Sequence, residues 1–192
     1  MSILLLSGSP AAVSRSHRLL QHIGDKLQLL GQQCVSLQVR DLPAQALLHA
    51  DFSNLELLAA QRLLAQAEAI VIATHIYKAS FSGLLKTFLD LLPQDGLDGK
   101  LILPIATGGS QSHMLALDYG LRPVLATLAA RQVLPAIYAT DAEVVWSDEH
   151  GLQLAQTIAE RVQKGVVQLL QNLPSSATNS HASDYPALVT YA

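Results

Sequence analysis

Runs of apolar residues bounded by turn residues recur along the chain, with helix-like stretches between them. SILLLS (2–7) is a continuous apolar run of strand length. In SRSHRLLQHIGDKLQLL (14–30), Leu19, Leu20, Ile23, Leu27 and Leu30 fall three and four residues apart, the period of one helix face. The alternation repeats: strand 34–39, helix 54–67, strand 69–74, helix 82–92 stopped by Pro93, strand 100–107, helix 112–130, strand 132–140 and helix 151–171. Strands apolar on both faces, alternating with helices, predict a parallel sheet covered on both sides. Five β-α repeats predict a doubly wound α/β sheet of strand order 2-1-3-4-5. Pro104 and Pro135 lie inside two of the strands, where a missing N–H interrupts a ladder. From Pro174 the sequence turns small and polar, so one domain is expected over 1–173 and a mobile tail over 174–192.

Topology then directs attention to three loops. Ligands of a doubly wound sheet bind beyond the carboxyl ends of the strands, near the point where the strand order reverses. SGSPAAVSRS after the first strand, THIYKASFSG after the third and TGGSQSH after the fourth converge there, and all are rich in Gly, Ser and Thr. In the first loop, Ser7, Ser9, Ser14 and Ser16 offer hydroxyls, and the following helix offers free N–H groups and the positive end of its dipole. That set suits a phosphate, with Arg15 or Arg18 adding charge. The plainer alternative is that Ser14 only caps the helix. Neither G-x-G-x-x-G nor G-x-x-x-x-G-K-[ST] is present, which disfavours a Rossmann dinucleotide or a Walker nucleotide. In the second loop, Tyr77 could pack on a planar ligand and Lys78 meet an anion, or the aromatics could simply cover the core. In the third, Gly108 and Gly109 allow backbone to approach a flat ligand closely, or serve an ordinary turn.

Composition changes the picture in two ways. Charged residues are only 14% of the chain, against roughly 25% on average, and mean hydropathy is +0.30. No apolar run is long enough to span a bilayer, so the surplus apolar surface points to a subunit interface. A net charge of -3 gives no basic footprint for nucleic acid. The apolar N-terminus lacks the basic lead of a signal peptide, and the one cysteine, Cys34, reads as a small core residue. A cytoplasmic location is expected. The scattered histidines form no metal motif, and no G-x-S-x-G elbow marks a serine hydrolase.

The motifs GSP-x-x-x-SRS, T-x-x-YKAS-x-SG-x-LK-x-x-LDLLP, LPIATGGS-x-x-H and DYGLRPVL together resemble the NADPH-dependent FMN reductase family over roughly residues 1 to 140. The likeness is greatest to the reductases of two-component alkanesulfonate monooxygenase systems. It implies a flavodoxin-like fold, dimers associating into tetramers, and reduction of FMN by NADPH. It also implies that Ser9, Ser14, Arg15 and Ser16 hold the FMN phosphate, that His75, Ile76, Tyr77 and Lys78 contact the ring system, and that Thr107, Gly108, Gly109 and Ser110 line its other side. Two positions depart from the family pattern: Ala11 stands where relatives carry arginine, and His75 where they carry proline.

Hydride transfer needs no side-chain acid or base, so a binding set and no catalytic residue is expected. Between 112 and 130, Tyr119 and Gly120 interrupt an apolar stripe and Pro123 cannot donate. The resemblance implies that Tyr119 is an inserted residue in a π-type bulge at an oligomer contact, with FMN a substrate that leaves after reduction for an FMNH2-dependent monooxygenase. The alternatives are an FMN-retaining quinone, azo or chromate reductase, and a flavodoxin-like electron-transfer protein.

Overall fold

The computed structural model describes residues 2–173; the expected tail, 174–192, lies outside the described residues. Strands β1 (Ser2–Ser7), β2 (Gln33–Gln38), β3 (Ala69–His75), β4 (Leu101–Gly108), β5 (Gln132–Val133) and β6 (Ile137–Thr140) form one parallel sheet. Its order is β2-β1-β3-β4-β5, with β6 also on β4. This is the flavodoxin-like order expected from the sequence.

Alternation along the buried strands divides the core in two. Ile3, Leu5, Val71, Leu103 and Ile105 face helices α1 (Arg15–Leu29) and α6 (Gln156–Asn172). Leu4, Leu6, Ile70, Ile72 and Ile102 face α2 (Ala44–Leu48), α3 (Leu55–Gln66), α4 (Gly83–Leu89) and α5 (Arg122–Thr127). Glycine admits closeness at two places. A Cβ at Gly24 would lie 2.4 Å from Leu5 Cδ1, and one at Gly165 2.8 Å from Ile137 Cδ1. Cys34 is half-buried and packs beside α1.

Four expectations need correction. The strand over 132–140 is two strands separated by Leu134, Pro135 and Ala136. From Ile102 to Ile105 is three steps along β4, whereas Val133 to Ile137 opposite is four, so one extra residue bulges out at Pro135. The helix over 112–130 is not continuous. It breaks into a 3-10 turn at Gln111–His113, a π turn at Leu117–Leu121, and α5. The helix over 82–92 ends at Leu89, because Pro93 denies the next turn its donor. The final helix begins at Gln156. Residues before it form an antiparallel hairpin of β7 (Val144–Ser147) and β8 (Gly151–Leu154), turned by Gly151 at φ 65°.

Candidate functional site

The carboxyl ends of β1, β3 and β4 bring the three loops together, and hydrogen bonds lock them. Gly8 N–H donates to Ala73 O at 2.8 Å, and Ser82 Oγ donates to Gly8 O, tying the first loop to β3 and to the N-cap of α4. A Cβ at Gly8 would sit 2.6 Å from Leu85 Cβ, so only glycine fits this crossing. Ser82 N–H donates to Thr74 Oγ1 at 3.0 Å. Ile76 N–H donates to Thr107 O at 2.9 Å, and His75 Nδ1 lies 3.1 Å from Thr107 Oγ1, joining the second loop to the third.

In the first loop, Ser9, Ser14 and Ser16 are all buried. Ser14 does cap α1, accepting from His17 N–H at 3.4 Å, and its hydroxyl also lies 2.9 Å from that of Ser16. The cap leaves most of the turn unsatisfied. The N–H groups of residues 12–16 find no backbone acceptor among the described residues. No acidic side chain occupies the first turn. Free N–H groups, buried hydroxyls and a helix N-terminus make a donor-lined nest that could hold one phosphate. Arg15 stands exposed at its rim, with Nη1 3.9 Å from Asp141 Oδ2. Arg18 turns elsewhere: its guanidinium carbon lies 3.6 Å from the Trp146 ring centroid.

The second loop turns at Lys78 (φ 49°) and Ala79 (φ 62°), where Tyr77 and Ser80 exchange N–H···O bonds at 2.9 and 3.0 Å. Two left-handed residues in succession make a tight hairpin turn. It lifts Tyr77 and Lys78 into solvent while Ile76 stays buried. The Tyr77 ring centroid is 4.7 Å from that of His75.

In the third loop, Thr107 and Gly108 are buried and Gly109 is exposed. A Cβ at Gly108 would meet Tyr138 Oη at 2.5 Å. That hydroxyl donates to Ser110 O at 2.6 Å. Burial, and then the Asp141 carboxylate, pushes the Tyr138 phenol up, so it remains a proton donor. The N–H groups of Gly109 and Ser110 find no backbone acceptor among the described residues. Gly120 of the π turn packs against the second loop, its Cβ position 3.3 Å from Ser80 Oγ and 3.6 Å from Phe81.

A phosphate nest at β1, an aromatic turn at β3 and a glycine-edged loop at β4 fit a flat ring carrying one phosphate. A model of NADPH-dependent FMN reductases matches residues 1–144. The chain belongs to the NADPH-dependent FMN reductase family. An FMN reductase (NADPH) of Pseudomonas putida is 47% identical over 163 residues, 84% of this chain and 83% of that protein. One of Escherichia coli is 41% identical over 145 residues, 76% of each chain. The apo crystal structure of an NADH:FMN oxidoreductase matches with a TM-score of 0.82 at 37% identity, covering 92% of this chain and 91% of that one. The family makes this chain an NAD(P)H-dependent oxidoreductase that uses FMN and NADPH.

Two features of the site escaped sequence reasoning. Asp141 reaches the first loop because β6 pairs with β4 in register, Thr140 opposite Gly108. Trp146 arrives on the hairpin and helps line a cleft of about 780 Å3 along α1, with Ser14, Arg18 and Gln38. That cleft borders the nest at Ser14 but runs away from the second and third loops, toward β2. The signal for Asp141 lay in topology: a residue just past the last strand beside β4 must emerge near the third loop. Among the described residues no cluster of His, Cys, Asp and Glu could hold a metal, and no helix is long and apolar enough to cross a membrane.

Proposed function

We propose that this chain, a cytoplasmic homo-oligomer, dimer or tetramer, reduces FMN with NADPH and releases the reduced flavin to a partner FMNH2-dependent alkanesulfonate monooxygenase. The observation that carries release is the π turn at Leu117–Leu121, which sets Tyr119 79% exposed at its crest and packs Gly120 on the second loop. π turns inside helices often mark functional sites. The likeness to alkanesulfonate-system reductases links this one to a flavin that departs.

FMN, when bound, supplies the two-electron hydride chemistry. The chain's residues bind and orient. Ser9, Ser14, Ser16 and the free N–H groups of residues 12–16 hold the phosphate, and Arg15 adds charge. His75, Ile76, Tyr77 and Lys78 border one side of the ring system. Thr107, Gly108, Gly109 and Ser110 border the other, where the N–H groups of Gly109 and Ser110 are free to meet negative charge. Thr107 accepts from the second loop at its carbonyl and meets His75 at its hydroxyl, which fixes the two walls relative to each other. No side chain is assigned to move a proton.

The test is steady-state NADPH oxidation with and without added FMN, followed by gel filtration. The expected result is turnover only with FMN, a preference for FMN over FAD, and colourless protein after filtration. Protein that stays yellow and turns over quinones without added flavin would overturn release.

A further inference from the structure

Asp141 is out of place beside a phosphate nest. It follows β6, and its backbone N–H donates to Gly108 O at 2.9 Å, so the residue is fixed beside the third loop. Its neighbour Glu143 has three donors on Oε2: Thr140 N–H and Thr140 Oγ1 at 2.8 Å each, and Gln111 Nε2 at 3.2 Å. Those bonds to Thr140 hold the Glu143 carboxyl below its ordinary range. Asp141 has no such set. Its Oδ1 is buried and without a hydrogen-bond partner among the described residues, and its Oδ2 faces Arg15 Nη1 at 3.9 Å, beyond hydrogen-bond reach. Arg15 is the only charged side chain of the first loop.

We propose that Asp141 lowers the affinity of the site for the flavin phosphate, by competing for Arg15 and by placing a fixed negative charge beside the nest, and so sets how readily FMN leaves. This rests on the reading that FMN is a substrate that departs. The physical argument is short. An anion entering the nest gains from the free N–H groups, the hydroxyls and Arg15, and is repelled by Asp141. The Arg15 charge that faces Asp141 is the same one that faces the nest. Glu143 is a carboxylate too, but it is tied to Thr140 and Gln111, whereas Asp141 is the carboxylate that faces Arg15. A site built for tight retention would place a donor at this position.

The experiment titrates flavin-free protein with FMN and with riboflavin, following flavin fluorescence, for the parent chain, Asp141→Asn and Asp141→Ser. Both variants keep the backbone bond to Gly108. Removing one unit charge at this range should tighten FMN binding about five- to tenfold. Riboflavin, which has no phosphate, should change by less than about twofold by the same argument. Weaker FMN binding would show that Asp141 orients Arg15 in favour of phosphate, unchanged binding that Asp141 has no bearing on it, and either would overturn the proposal. Equal tightening of both flavins would assign the effect to repacking and overturn it too. The release reading fails by a different sign: a parent chain that emerges from gel filtration with flavin bound, whatever the variants do.

Discussion

Arg15 meets two demands that pull in opposite directions. It begins α1, where the dipole favours an anion ahead of it, and its guanidinium reaches toward Asp141. Because the pair is wide and half in solvent, it contributes little to stability. The larger consequence of losing Arg15 falls on the phosphate. Arg15→Ala should weaken FMN binding about tenfold, since a hydrogen bond to a charged group contributes on the order of 1.5–3 kcal/mol. Riboflavin binding should hardly change. If both flavins weaken equally in titration, Arg15 is structural and the serines serve only as caps. Ala11 brings no charge to the loop, which makes the dependence on Arg15 sharper. Arg18 cannot substitute without leaving the face of Trp146.

Among the elements, α1 joins sequence legibility to a measurable property. Of its expected apolar stripe, Leu19, Leu20, Ile23 and Leu27 are fully buried, as the spacing predicts, while Leu30 caps the helix and is 52% exposed. On its flank, burial pushes the imidazoles of His17 and His22 below the ordinary histidine range. As pH falls past about 6.5, the unfolded chain therefore binds protons before the folded one does. The stability present above that pH is lost as pH falls through the lower folded values. Melting temperature should drop between about pH 7.5 and 5.5, and His17→Gln should shrink that drop. An equal drop in parent and variant would exclude His17 as a contributor.

The other elements show what pattern could and could not reveal. β1, β3 and β4 are legible because each is buried on both faces, so a continuous apolar run has one reading. Pro135 announced its own interruption, and the extra residue beside it splits the last strand. The β7–β8 hairpin was not legible, because its strands are four residues each and Leu152 and Leu154 continue smoothly into the helical pattern of α6. The three loops could be placed by topology alone. Their locking by Ser82 and Tyr138 could not, since it depends on contacts between residues 74 and 28 positions apart.

At the scale of the whole molecule, the proposed homo-oligomer needs a contact surface, and the segment after the third loop is the one proposed for it. Met114, Leu115 and Tyr119 are 49%, 53% and 79% exposed on the segment that follows the third loop. Exposed large apolar groups gathered on one segment are a candidate association surface. The segment is irregular for a reason. Gly120 favours no helix, Pro123 donates no bond, and the π turn at Leu117–Leu121 absorbs one residue more than an α-helix would. Asp118 and Arg122, paired at 3.3 Å, span the turn on its exposed side. Deleting Tyr119 should return the turn to α-helical geometry, with Leu117, Leu121 and Leu125 spaced three and four apart on one face. The core side of the segment is held by buried Leu117, Leu121 and Leu125, so the variant should still fold. The exposed apolar crest would be dispersed, and Gly120 would no longer meet Ser80 and Phe81 of the second loop. Light scattering should then show a changed mass, and the protein should carry FMN through purification and deliver reduced flavin poorly. A deletion variant of parental mass that elutes colourless and turns over free FMN at the parental rate would remove Tyr119 from both assembly and release.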